Sequence, residues 1–218
     1  MSISNYYEHA PQGGFPKSIV IMLHGVGSNG QDLISLAPML AKYVPEAVFI
    51  SPDAPFHCDM VPEGYPNSYQ WFSLQDRDPD KMLAGVQSVM PLVEHFIEGM
   101  LEKYGLEHKN LVLLGFSQGT MTSLYVAPRL KEKIAGVLGY SGAMLGGDVS
   151  EVKQKMPIHL VHGEADDVVT VEAWGAAKQA LMGLGFPFSG HTTAGLTHSI
   201  DMAGIQSGGD FLKEVLKV

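Results

Sequence analysis

The 218-residue chain holds a single cysteine, Cys58. One thiol cannot close an internal disulfide, which suits a reducing compartment and makes a cytoplasmic location the expectation. Charge is sparse as well: charged residues are 17% of the chain, and 23 acids against 14 bases leave a formal net charge of −9. No lysine or arginine cluster forms a basic stripe, so nucleic acid is not an expected partner. The same balance disfavours docking onto anionic membranes. No uninterrupted apolar run is long enough to span a bilayer, and stable membrane insertion is not expected. The first ten residues lack a charged head followed by an apolar stretch, so a signal peptide is not expected either. Nine histidines are present, yet no His-Glu-x-x-His or Cys-x-x-Cys pattern occurs. His159 and His162 stand three apart in a strand-like run, on opposite faces, and cannot chelate together. No metal and no cofactor is expected.

What the chain does have is apolar residues, 45% of the total, enough to bury a sizeable core in one domain. Strand-like runs lie near residues 18–24, 46–51, 110–115, 134–140, 157–162 and 186–193. Helix-like stretches alternate with them near 31–43, 81–104, 117–130, 171–184 and 205–217. The alternation predicts an α/β fold with a mostly parallel central sheet flanked by helices. Pro91 is expected to start or kink the helix over 81–104. No repeat, low-complexity segment or linker divides the chain, so residues 1–218 read as one domain without a large inserted cap.

One pentapeptide carries the chemistry. Gly115-Phe116-Ser117-Gln118-Gly119 fits Gly-x-Ser-x-Gly, follows the apolar run Leu111–Leu114 and precedes a helix-like segment. Strand, tight turn and helix form the context a nucleophile elbow requires. The bland alternative is a glycine-rich turn whose serine caps a helix. A serine hydroxyl needs a base, and the base needs an orienting acid. Downstream, the run Pro157–Gly163 ends in Glu164-Ala165-Asp166-Asp167, and Thr192–Ile200 holds His198 before the last helix. Both lie past strand ends, on the rim where open α/β sheets place their sites. Ser117, an acid and His198 therefore stand in the order serine, acid, histidine. Asp166 and Asp167 are adjacent candidates for the acid. An oxyanion hole needs one backbone N–H just after the nucleophile, here Gln118, and one from the loop after an early strand. Ser18–Leu23 is that strand, and in His24-Gly25-Val26-Gly27 the expected donor is Val26.

With these segments in place, the chain resembles the phospholipase/carboxylesterase family of α/β-hydrolases, which includes the acyl-protein thioesterases. The resemblance rests on Leu23–Gly27, Ser51-Pro52-Asp53-Ala54-Pro55, Gln70-Trp71-Phe72, Gly115–Gly119, Tyr140-Ser141-Gly142, His162-Gly163-Glu164-Ala165-Asp166 and Gly195-Leu196-Thr197-His198. It implies an α/β-hydrolase fold and a serine hydrolase of carboxylic esters, with thioesterase or lysophospholipase activity within its range. It further implies Ser117 as nucleophile, Asp166 rather than Asp167 as acid, His198 as base, and Val26 and Gln118 as oxyanion donors. Ser73 departs from the family pattern, in which an aspartate often follows the Trp-Phe pair.

Residues 52–80 form a long irregular segment rich in Phe56, Met60, Tyr65, Tyr69, Trp71 and Phe72. Loops of this length are functional or disordered, and this one is too apolar for disorder. It reads either as a loop packing its own small core or as an apolar wall beside Ser117. Met60, Trp71 and Phe72, joined by Met144 and Leu145 past another strand end, are the candidate substrate-binding residues. The expected partner is a small-molecule or acylated substrate. Nothing in the sequence specifies an oligomeric state. Cys58, outside any strand-turn-helix context, reads as a free loop thiol.

Two other functions compete. Gly25-Val26-Gly27-Ser28-Asn29-Gly30 matches the dinucleotide-binding Gly-x-Gly-x-x-Gly, and Asp53 stands about 20 residues on, where a ribose-binding acid belongs. That nicotinamide reading leaves Ser117, Asp166 and His198 unused. The second alternative is a catalytically silent binding protein that keeps the fold.

Overall fold

Five strands of almost continuously buried residues make the frame of the molecule. The computed structural model describes residues 2–217. In chain order the strands are β1 (Tyr6–His9), β2 (Ser18–Leu23), β3 (Ala47–Pro52), β4 (Phe56–His57), β5 (Tyr69–Gln70), β6 (Leu111–Phe116), β7 (Gly136–Tyr140), β8 (Ile158–Gly163) and β9 (Phe188–Thr193). The helices are α1 (Gly30–Leu33), α2 (Ala37–Leu40), α3 (Pro79–Tyr104), α4 (Gln118–Val126), α5 (Val171–Gly183) and α6 (Met202–Leu216). Seven strands form one sheet in the order β1-β3-β2-β6-β7-β8-β9, parallel except for β1, which runs antiparallel along β3. β4 and β5 pair separately as a short antiparallel ladder.

Strands buried on both faces need apolar residues at every position, which is why β2, β3 and β6 read as unbroken hydrophobic runs. Alternate residues serve opposite faces. Ile19, Ile21, Leu111, Leu113, Val137 and Leu160 meet α3, α4 and α5 in one core. Val20, Met22, Val112, Leu114, Leu138 and Val161 meet α1, α2 and α6 in the other. The whole forms one α/β domain with helices on both sides of the sheet.

Three local expectations need correction. The helix expected at 31–43 is broken: α1 and α2 are four residues each, joined by a 3-10 turn at Ile34–Leu36. Pro38 lies at the start of α2, and its missing N–H cannot continue a ladder from α1. The long helix starts at Pro79, with the Asp78 carboxylate accepting from the Asp80 and Lys81 N–H groups, and it runs 26 residues through Pro91. Pro91 and Gln87, whose carbonyl loses its i+4 donor, are both exposed, so water takes the freed carbonyl and the helix continues. β1 and the β4–β5 ladder were not expected from the pattern, because each is short and half-exposed.

One buried imidazole has a measurable consequence. His159 on β8 lies under α6, stacked on Phe211 with ring centroids 5.4 Å apart, and bonds Ser189 and Ser207 through its two nitrogens. Burial, helped by the neighbouring His191, pushes its pKa down from 6.5 to about 4. The unfolded chain therefore takes a proton below pH 6.5 that the fold refuses until about pH 4. Stability from this residue is complete above the unfolded pKa and lost as pH falls toward the folded one. Denaturant titrations should show the advantage of wild type over His159→Gln shrinking by about 3 kcal/mol from neutral pH to pH 4; a constant difference would contradict a neutral, buried His159.

Candidate active site

The turn after β6 is where sequence and sterics meet most tightly. Ser117 adopts φ 54° and ψ −116°, a strained backbone for a non-glycine residue, between β6 and α4. The flanking glycines make it possible. A Cβ on Gly119 would lie 1.8 Å from the Leu23 carbonyl oxygen, and one on Gly115 would lie 2.4 Å from the Thr120 nitrogen. Absence of both side chains lets the start of α4 settle directly on the end of β2. The Ser117 N–H is fixed by the Tyr140 carbonyl at 2.9 Å.

The loop after β2 lies against this turn. Ala54 N–H donates to His24 Nε2 at 3.0 Å, so the proton of this imidazole sits on Nδ1, which donates to the Gly25 carbonyl at 2.7 Å. Burial pushes the His24 pKa down, in keeping with a neutral ring. Trp71 Nε1–H donates to the His24 carbonyl, the Gln118 side-chain amide accepts from Trp71 N–H, and its NH2 donates to the Phe72 carbonyl. The ladder residue Tyr69 accepts from Gly27 N–H and donates to Ser28 O. These bonds hold three separate segments in one block. Within it, and among the described residues, the N–H groups of Val26 and Gln118 donate to no protein acceptor.

Asp166 sits at the turn after β8 and is buried. One carboxylate oxygen accepts from Val168 N–H at 3.0 Å and Val169 N–H at 2.9 Å; the other accepts from His198 Nδ1 at 2.8 Å. His162 Nε2–H donates to the Val169 carbonyl and lies 3.4 Å from the same carboxylate. Burial works against ionisation of Asp166, but the bonds from His198, Val169 and Val168 outweigh it and hold the carboxyl below its ordinary range. An N–H on His198 Nδ1 leaves Nε2 of the neutral ring as an acceptor. The Phe116 ring packs on that imidazole, with centroids 4.9 Å apart. Ser117 and His198 line one cavity of about 190 Å³ with Gly25, Val26, Ser28, Asp32, Leu33, Phe116 and Val168. Asp167, the adjacent candidate acid, is exposed to solvent.

An elbow serine, a buried Asp–His pair and a glycine loop around one small cavity invite comparison with known proteins. Residues 10–216 match the phospholipase/carboxylesterase family. The chain belongs to that family. It is 30% identical over 215 residues to acyl-protein thioesterase 1 of Emericella nidulans, over 90% of each chain. It is 26% identical over 200 residues to esterase YpfH of Escherichia coli (strain K12), over 90% of this chain and 82% of that one. Among solved structures it is similar to esterase PE8, with TM-score 0.89 and 34% identity over 96% of this chain and 98% of that one. Membership makes it a carboxylic ester hydrolase of the α/β-hydrolase fold.

For this carboxylesterase-family chain the expected substrate wall is dispersed. Trp71 is fully buried and Phe72 nearly so. The Trp71 indole is committed to the His24 carbonyl, and Phe72 packs on Gly85 of α3. Met60 is 51% exposed on the surface of its loop. Met144 and Leu145 line a different apolar cavity of about 370 Å³, together with Leu124, Pro128, Leu181 and Phe186. None of the five borders the cavity at Ser117. The cavity is lined instead by Asp32, Leu33 and Val168, which belong to none of the quoted motifs, and by Phe116 of the pentapeptide.

The Gly25–Gly30 fingerprint is occupied otherwise. Asp53 accepts from Gly30 N–H at 2.8 Å and from the Asn5 side chain at 2.6 Å, so its carboxylate ties the β3 end to α1. A Cβ on Gly30 would meet the Ser51 carbonyl oxygen at 2.2 Å. That glycine serves helix–strand contact. Cys58 is a free thiol outside the helices and strands, as expected, and it is buried. Among the described residues no group of three His, Cys, Asp or Glu side chains could hold a metal, and no helix is long and apolar enough to cross a membrane.

The Gln118 amide is the strut of the block. Gln118→Ala would leave the buried Trp71 N–H and Phe72 carbonyl without partners, and should lower unfolding free energy by about 2–4 kcal/mol. A denaturant midpoint unchanged from wild type would rule out that role.

Proposed function

We propose that the chain hydrolyses carboxylic esters through Ser117, His198 and Asp166 and a covalent acyl-enzyme. The observation that carries the reading is the hydrogen bond from His198 Nδ1 to a buried, ionised Asp166 beside a serine held at positive φ. His198 Nε2 removes the Ser117 proton as Oγ attacks the acyl carbon. Asp166 keeps the imidazole in the required tautomer and stabilises the imidazolium. The carbonyl oxygen, now an oxyanion, accepts from the N–H groups of Val26 and Gln118; one such donor is worth roughly 3–4 kcal/mol in comparable sites. The alcohol leaves with the proton from His198. Water then repeats the attack on the acyl-enzyme, releasing the acid and restoring Ser117.

The substrate is a small-molecule ester or an acylated molecule presented at the cavity. Thioesters follow the same path with a thiol leaving group, and relatives named acyl-protein thioesterase support that extension. The free Val26 and Gln118 N–H groups support an oxyanion hole. The commitment of Asp53 and Gly30 to helix–strand contacts speaks against a nicotinamide site.

Brief exposure to a fluorophosphonate should add one adduct to wild type by intact mass and none to Ser117→Ala, which should also lose nearly all ester turnover while folding normally. A folded Ser117→Ala protein with robust turnover would overturn the mechanism. Asp166→Asn should reduce kcat by orders of magnitude, with about 10⁴-fold seen for the equivalent change in a known triad. Asp167→Asn should stay within a few-fold of wild type, and the reverse ranking would reassign the acid.

A further inference from the structure

The cations of this chain are distributed by the topology of the sheet. No lysine or arginine occurs in residues 18–41, 110–128, 134–152, 156–177 or 179–212. Lys17, Lys109, Lys133 and Lys155 stand just ahead of β2, β6, β7 and β8, at the edge of the sheet away from Ser117. Segments leaving the opposite edge carry Asp32, at the start of α1, and Glu164, Asp166, Asp167 and Asp201. The two cations near that edge, Arg77 and Lys81, belong to a segment outside the cavity wall, and Lys81 is bonded to Asp76.

Within this anionic face one carboxylate lines the cavity, that of Asp32. Asp32 lines it together with Ser117, His198, Phe116, Leu33 and Val168. One Asp32 oxygen accepts the Ser28 hydroxyl at 2.7 Å; the other takes no protein hydrogen bond among the described residues. No lysine or arginine borders the cavity. A negative charge, an aromatic face and two aliphatic side chains suit a bulky organic cation, whose diffuse charge is attracted by the carboxylate and by the ring. An anionic alcohol group beside Asp32 would meet repulsion with no cationic side chain to offset it.

We propose that Asp32 is a specificity-determining residue that makes the Ser117 cavity prefer esters of positively charged alcohols, such as quaternary ammonium alcohols, over neutral isosteres, and reject esters of anionic alcohols. The inference rests on the hydrolase reading above: the departing alcohol takes its proton from His198 and so lies in the cavity that His198 and Asp32 both line. The anionic rim adds steering of cations toward the mouth, an effect that weakens as salt rises.

The test compares kcat/KM for three esters of one acid: the choline ester, its uncharged isostere the 3,3-dimethylbutyl ester, and an ester whose alcohol ends in a carboxylate. Wild type should favour the choline ester over the neutral one by about five- to tenfold at low salt, as expected of one partly solvated charge at close range. The anionic ester should be the poorest substrate. Asp32→Asn, similar in size and still able to accept from Ser28, should bring the cation-to-neutral ratio close to one. Asp32→Glu should retain the preference, which a purely structural role for Asp32 would not require. The ratio is internal to each variant, so partial misfolding does not disturb it. A wild-type ratio of one or less, or a ratio unchanged in Asp32→Asn, would overturn the proposal while leaving the hydrolase reading intact. Failure of every ester together with no fluorophosphonate adduct would overturn the hydrolase reading itself, and this inference with it.

Discussion

The contact on which the site depends is one between two backbones. α4 begins so close to the end of β2 that only a residue without a side chain fits at position 119, where a Cβ would sit 1.8 Å from the Leu23 carbonyl oxygen. That approach sets the angle at which the chain leaves β6 and holds Ser117 in its strained conformation. It also brings the first N–H groups of α4 beside the loop that follows β2. Ser117 and two free N–H donors in one place are thus a consequence of how a helix seats on a parallel sheet. The conformational strain at Ser117 is held by fixed partners on both sides: its N–H donates to Tyr140 O, and its own carbonyl accepts from Met121 N–H.

Around this contact, two buried polar assemblies do different work. His24, Trp71 and Gln118 form a neutral lattice whose bonds to Ala54, Trp71, Phe72 and the His24 carbonyl join residues at least 30 apart in the chain and hold the loop after β2 in place. Asp166, by contrast, is a buried charge. A carboxylate taken out of water is tolerated only when its oxygens are satisfied, and here two backbone N–H groups and His198 provide for it. The same bonds that make the charge affordable also orient the imidazole, so stability and chemistry draw on one set of contacts.

Sheet topology also separates the charges. Residues that precede parallel strands lie at one edge and residues that follow them at the other, so the lysines ahead of β2, β6, β7 and β8 lie away from the site of the molecule, two of them, Lys17 and Lys109, paired with Glu46 and Glu107. Its site-bearing face is anionic, and the small cavity there inherits that sign through Asp32.

Much of this was legible in the chain itself. The apolar runs of β2, β3 and β6, and the β-branched and glycine-bounded segments of β7 and β8, read as strands buried on both faces. Gly115–Gly119 announced a sharp turn because local sterics demand glycine on either side of the serine. Asp166 and His198 could be assigned to one rim because each follows a strand, and the parallel pairing of β8 with β9, Gly163 opposite Thr193, brings their loops together. Side-chain destinations in the long segment were not legible. Trp71 and Phe72 look the same in sequence whether they wall a pocket or fill a core, and contacts with His24 and Gln118, 47 and 46 or more residues away, decide it. Pro91 reads as the start or a kink of its helix, yet the helix begins at Pro79 and Pro91 falls on its exposed face. The sequence by itself determined the elements, their order and the turn that presents Ser117, because backbone sterics and apolar periodicity act over a few residues. Only the tertiary structure decided which side chains line the cavity and what charge it carries, because those depend on which distant segments the sheet lays side by side.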